Sequence, residues 1–116
     1  MGLSTHILDT SRGKPAANVG ISLFRRTNGA ESWQRVGQEG LTDSDGRYKG
    51  FFVGGEHVFV NGVYKLRFEV GLYYEQLKID TLYPYVEIAF EIKDTEQHYH
   101  IPLLLNPYGY STYRGS

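Results

Sequence analysis

Tyr64-Lys65-Leu66-Arg67-Phe68-Glu69-Val70 decides the fold class, because every even position is apolar and every odd position from Lys65 is charged. Successive side chains of a strand point to opposite faces, so this segment reads as a strand with one buried and one solvated side. Val86, Ile88, Phe90 and Ile92 repeat the pattern against Glu87, Ala89 and Glu91, and Val19, Ile21 and Leu23 mark a third strand. Between the first two lies Leu72-Tyr73-Tyr74-Glu75-Gln76-Leu77-Lys78-Ile79-Asp80. Its period is irregular and its residues tolerate helix, so a short helix is expected there. Turn chemistry separates the remaining runs at Arg12-Gly13-Lys14-Pro15, Asn28-Gly29, Asp43-Ser44-Asp45-Gly46, Gly54-Gly55, Asn61-Gly62 and Asn106-Pro107. That spacing accommodates about seven or eight short strands. The expected class is all-β, two antiparallel sheets packed as a sandwich.

The chain has 116 residues, which predicts one domain over residues 1–116. Its 10 Tyr and 6 Phe beside 14 Gly combine strand formers with turn formers, in agreement with the strand pattern. Cysteine is absent, which removes disulfides, thiol nucleophiles and thiolate metal sites together. Twelve basic against thirteen acidic side chains give a net charge of -1, so no electrostatic footprint for nucleic acid is present. No apolar run approaches the ~20 residues of a membrane span. The opening Met1-Gly2-Leu3-Ser4-Thr5-His6 lacks a basic stretch followed by an apolar one, and Arg114-Gly115-Ser116 is not a peroxisomal tail or a prenylation box. A cytoplasmic protein with no nucleic-acid or membrane partner is the expectation.

Chemistry enters with the histidines. In His98-Tyr99-His100-Ile101-Pro102-Leu103-Leu104-Leu105 the odd positions form an apolar face, which sends His98 and His100 together to the other side. In Ser4-Thr5-His6-Ile7-Leu8-Asp9, Leu3 and Ile7 inward place His6 outward. His57 sits in the Gly-flanked Gly54-Gly55-Glu56-His57 and receives no role. A His-x-His pair on one strand face is also a fragment of a zinc or copper site. Two ligands do not complete one, and exposed or hydrogen-bonded imidazoles are the plainer reading. Arg47, at the exit of the Asp45-Gly46 turn, is by its local sequence alone a solvated loop charge. The run Tyr108-Gly109-Tyr110-Ser111-Thr112-Tyr113 is aromatic and strand-forming where chain ends are usually polar and frayed. It is expected to be paired.

Leu3-Ser4-Thr5-His6-Ile7-Leu8-Asp9-Thr10, Tyr83-Pro84-Tyr85-Val86-Glu87-Ile88-Ala89-Phe90 and the segment from His98 through Ser116 together resemble the transthyretin-related 5-hydroxyisourate hydrolases. The ending Tyr113-Arg114-Gly115-Ser116 matches the tetrapeptide that separates those hydrolases from the hormone-carrying transthyretins. The resemblance implies a transthyretin-like sandwich of about eight strands with one short helix, assembled as a homotetramer with active sites in a channel where two dimers meet. It implies hydrolysis of 5-hydroxyisourate, opening the six-membered ring to 2-oxo-4-hydroxy-4-carboxy-5-ureidoimidazoline, without a cofactor or metal. Matched position by position, it assigns His6, Arg47, His100 and Ser116 as catalytic and His6, Arg47, Tyr113, Arg114 and Ser116 as substrate-binding. His98 shares a face with His100 without being singled out, and is expected to support the site or an interface. The contrasting expectation is a small-molecule carrier, which resembles this chain through Pro107-Tyr108-Gly109-Tyr110-Ser111-Thr112 but lacks the His6, Arg47 and His100 set.

Overall fold

The computed structural model describes residues 2–26, 31–53 and 59–116. The turns expected at Asn28-Gly29 and Gly54-Gly55, and His57, lie outside the described residues. The elements are β1 (Gly2–Asp9), β2 (Lys14–Pro15), β3 (Gly20–Arg26), β4 (Gln34–Leu41), β5 (Arg47–Tyr48), β6 (Gly62–Phe68), α1 (Val70–Gln76), β7 (Val86–Ile92), β8 (His98–Asn106) and β9 (Gly109–Thr112). One sheet has the order β2-β1-β8-β9 with β5 also paired to β1, and the other the order β4-β3-β6-β7. Every pair is antiparallel except β1 with β8, which run parallel from Gly2 opposite His98 to Asp9 opposite Leu105. None of the described helices is long and apolar enough to cross a membrane.

The two sheets enclose one hydrophobic cluster. Tyr64, Leu66 and Phe68 of β6 are fully buried, as are Ile7 of β1 and Leu103 and Leu105 of β8. Lys65 and Arg67 face outward and meet Glu87 of the paired strand at 3.4 and 3.8 Å, while Arg67 Nε donates to Glu69 at 2.7 Å. Period two therefore reports the buried face correctly, but it overruns the strand at its end. The strand stops at Phe68, and Val70 opens the helix rather than closing the strand. Val70, Tyr73 and Tyr74 share one buried helix face at the spacing i, i+3, i+4. The helix also ends earlier than expected, after Gln76. Lys78 adopts φ 59, its N–H bonds Glu75 O at 3.0 Å, and Ile79 N–H bonds Tyr74 O at 3.0 Å. Those two bonds form a Schellman stop that satisfies the last carbonyls.

Candidate active site

The outer face of the β2-β1-β8-β9 sheet collects most of the expected residues, and local sequence explains how each gets there. Asp43 opens a tight turn in which its carboxylate accepts from the main-chain N–H of Asp45 at 2.9 Å and of Arg47 at 3.0 Å. The Arg47 N–H bond, ahead of the nearby cationic side chains, holds the Asp43 carboxyl below the usual carboxylate range, so it stays ionised near neutrality. Gly46 lies at φ 76, where a side chain is strained, and a Cβ there would strike the carbonyl of Ile7. The turn is thereby pressed against β1, with Ile7 N–H donating to Gly46 O at 2.8 Å. The next residue is Arg47, directly opposite His6 in the β1/β5 ladder. Opposed residues of an antiparallel pair share a face, which brings the guanidinium beside the imidazole.

The parallel β1/β8 ladder does the same for the second strand. It sets Ser4 opposite His100 and Gly2 opposite His98. The Ser4 hydroxyl oxygen lies 2.8 Å from His98 Nε2 and 2.8 Å from His100 Nδ1. His98 is exposed and His100 half-buried. Burial is the main force holding the His100 imidazole below its ordinary basicity, followed by the positive charges of Arg47, His6 and His98. A main-chain bond at Ser4 works against them. His100 is consequently neutral at pH 7, with a lone pair to offer. Ser4, Asp43, Arg47, Tyr48, Lys49, His98 and His100 line a cleft of about 300 Å³, within the range of small-ligand sites.

The chain end returns to this place. An isolated bridge pairs Gly115 with His100, and Gly115 N–H donates to His100 O at 2.8 Å. A Cβ on Gly115 would come within 2.5 Å of His100 Cδ2, so only glycine lets the tail lie against the imidazole. Ser116 follows and is exposed. Tyr113 is 57% exposed. Arg114 goes elsewhere: its guanidinium lies 4.4 Å from the Tyr99 ring centroid and donates to Gln97 Oε1 at 2.8 Å. Tyr99 belongs to the buried face of β8, so alternation carries Arg114 away from the imidazoles while Gly115 meets them. Within the chain, His6, Arg47, His98 and His100 come together, Ser116 stands next to them, and Arg114 does not join them.

Ser4, Asp43 and Gly115 are the members that the sequence did not single out. Alternation with His6 was a signal for Ser4, but its partners depend on a parallel pairing that no local pattern encodes. Imidazoles and a guanidinium on one face can accept a proton, return a proton and hold a developing oxyanion.

The family model described as the HIUase/transthyretin family matches residues 3–115. The chain belongs to the HIUase/transthyretin family. Within this family it is 44% identical to the 5-hydroxyisourate hydrolase of Caulobacter vibrioides, over 99% of this chain and 98% of that one. The solved structure of Klebsiella pneumoniae 5-hydroxyisourate hydrolase superposes with a TM-score of 0.82 at 35% identity, covering 100% of both chains. Sea bream transthyretin in complex with thyroxine reaches a TM-score of 0.87 at 26% identity, covering 99% of this chain and 95% of that one. The transthyretin-like sandwich is thus common to a hydrolase and to a hormone-binding relative, and side chains must separate the two. The higher identity lies with the hydrolases.

Proposed function

We propose that residues 1–116 act as one domain that hydrolyses 5-hydroxyisourate to 2-oxo-4-hydroxy-4-carboxy-5-ureidoimidazoline. The observation that carries this reading is that Arg47 and a neutral His100 line one cleft, with His6 directly across the ladder from Arg47, in a chain whose full-length relatives are named for that hydrolysis. In the reaction a water oxygen bonds to a ring carbonyl carbon, the carbon–nitrogen bond breaks, and the freed nitrogen takes a proton. His100 is the group suited to accept the water proton, since burial and its cationic neighbours favour its neutral form. Arg47 donates to the oxygen on which charge builds, because its fork matches the planar edge of a carbonyl or urate-like ring. His6, across the ladder from Arg47, is assigned the supply of the proton that the departing nitrogen needs. Ser116, with a hydroxyl and a carboxylate at one point, is assigned to substrate contact beside His100. Tyr113 and Arg114 remain in the proposal as residues that serve the site of an assembled oligomer. That assembly is a homotetramer, supported by the outer edges of β7 and β9, which are unpaired among the described residues. A cytoplasmic location completes the proposal and is checked by cell fractionation.

The test generates 5-hydroxyisourate in place with urate oxidase and follows its ultraviolet decay against the spontaneous rate. Wild-type protein is expected to accelerate the decay. His100→Asn should lose about 100-fold or more, the usual share of a general base. Arg47→Lys should lose rate as well, because a point charge does not replace the fork. Decay equal to the spontaneous rate with wild-type protein overturns the hydrolase reading and leaves a carrier of the transthyretin kind.

A further inference from the structure

Resting on the hydrolase reading above, we propose that the Ser4 hydroxyl is a positioning residue that fixes a proton on Nδ1 of His100 and connects that proton to His98. Its oxygen stands 2.8 Å from each ring. A hydroxyl carries one proton, so when both rings are neutral it donates to one nitrogen and accepts from the other. Only two arrangements satisfy all three groups. In the first, His100 Nδ1–H donates to Ser4 and Ser4 donates to His98 Nε2. In the second, the direction is reversed.

The chemistry of the hydrolase reading selects between them. Nδ1 of His100 is engaged by the Ser4 hydroxyl, so Nε2 is the nitrogen left for the proton of the attacking water, and a ring nitrogen accepts a proton only when it carries none. The nitrogen of His100 facing Ser4 is therefore the donor, and the first arrangement holds. Nε2 of His100 is left bare, and this is the atom that takes the proton of the attacking water. His98 in turn accepts at Nε2 and carries its own proton on Nδ1.

The link has a use at the moment of reaction. An imidazolium at His100 forms in a half-buried place facing Arg47 of β5 and His6 of β1, with Asp43 and Lys49 on either side of β5 and His98 on its own strand. When Nε2 of His100 gains a proton, its Nδ1 proton can move to Ser4 Oγ while the Ser4 proton moves to Nε2 of His98. One proton enters, one arrives on His98, and Ser4 is again a neutral hydroxyl. The positive charge ends on the exposed ring rather than on the half-buried one. His98 thereby acquires a role that its position alone did not specify.

The measurement is long-range ¹H–¹⁵N correlation of histidine ring nitrogens in wild type, Ser4→Ala and Ser4→Thr, alongside turnover against pH. Wild-type His100 is expected as the Nδ1–H tautomer with Nε2 unprotonated. Ser4→Ala should mix the tautomers and lower kcat by about 10-fold or more with little change in KM, as misplacing a catalytic imidazole proton does. Its acid limb should move to lower pH, because the imidazolium loses an acceptor. Ser4→Thr keeps a hydroxyl and should restore both tautomer and rate. A wild-type His100 found as the Nε2–H tautomer overturns the proposal. So does a Ser4→Ala protein with unchanged tautomer and kcat. The nitrogen shifts are read without substrate, so they decide the role of Ser4 even where wild-type hydrolysis fails.

Discussion

Gly115 shows how a single missing side chain shapes the site. Its N–H is tied to the His100 carbonyl at 2.8 Å, and a methyl group would stand 2.5 Å from the imidazole Cδ2. Replacing it by alanine must therefore displace either the tail or the ring. Gly115→Ala is expected to lower kcat by about 10-fold or more, since small misplacements of a catalytic group are costly. The melting temperature should barely move, because the tail lies outside the core. An alanine variant with full turnover would show that the contact is dispensable. His100 itself sets the pH dependence. The working form is the neutral ring, and burial together with Arg47 disfavours the charged one. Activity should therefore persist as pH falls through the ordinary imidazole value of about 6.5 and decline only below it. A profile of kcat/KM that already falls above pH 6.5 contradicts this. At this scale the outward directions of His6, His98 and His100 were legible, because alternation fixes the face of a strand residue. The company those residues keep was not. Ser4 reaches two histidines more than ninety positions away, and no local pattern contains that information.

Among the elements, the Asp43–Arg47 turn contributes most to the site for its length. Two main-chain N–H groups are satisfied by the Asp43 carboxylate, and Gly46 takes the left-handed backbone that seats the turn on β1. Gly46→Ala meets both strain at φ 76 and a collision with Ile7 O. A loss of roughly 1–3 kcal/mol is expected, the range for a strained backbone position. Calorimetry measures it directly. The same variant should raise KM by displacing Arg47, and unchanged KM and unchanged melting would together refute the argument. The sequence displayed this turn as Asp43-Ser44-Asp45-Gly46 but not its target, Ile7 of β1, thirty-nine positions before Gly46. The helix illustrates the opposite difficulty. Val70 fits a strand by parity and a helix by its spacing to Tyr73 and Tyr74, and parity was the longer pattern. The choice is settled by packing, since a strand extended through Val70 would forgo the buried face shared with both tyrosines.

For the whole molecule, the sandwich explains why the chemistry sits on a sheet face rather than inside. The inner faces of β1 and β8 are committed to the core through Ile7, Ile101 and Leu103, so Ser4 and the histidines are presented on the other side, while Thr5 and Asp9 are buried against hydrogen-bond partners. The result is a cleft of about 300 Å³ on the outside of one sheet. Charge-stabilising groups act most strongly where water is excluded, and an open sheet face does not exclude it. A second sheet laid over this face would supply the missing wall. The edges suit association as well: among the described residues β7 and β9 each end a sheet with an unpaired side, and Tyr108, Tyr110 and Tyr113 lie exposed on or beside β9. Activity should therefore depend on assembly. Sedimentation velocity at micromolar concentration is expected to show a species of four chains. Progressive dilution should lower the specific activity once that species dissociates, because each separated chain keeps its side chains but loses the cover over them. A chain that sediments as a monomer and turns over at the same specific activity throughout the dilution series would mean that one sheet face is sufficient.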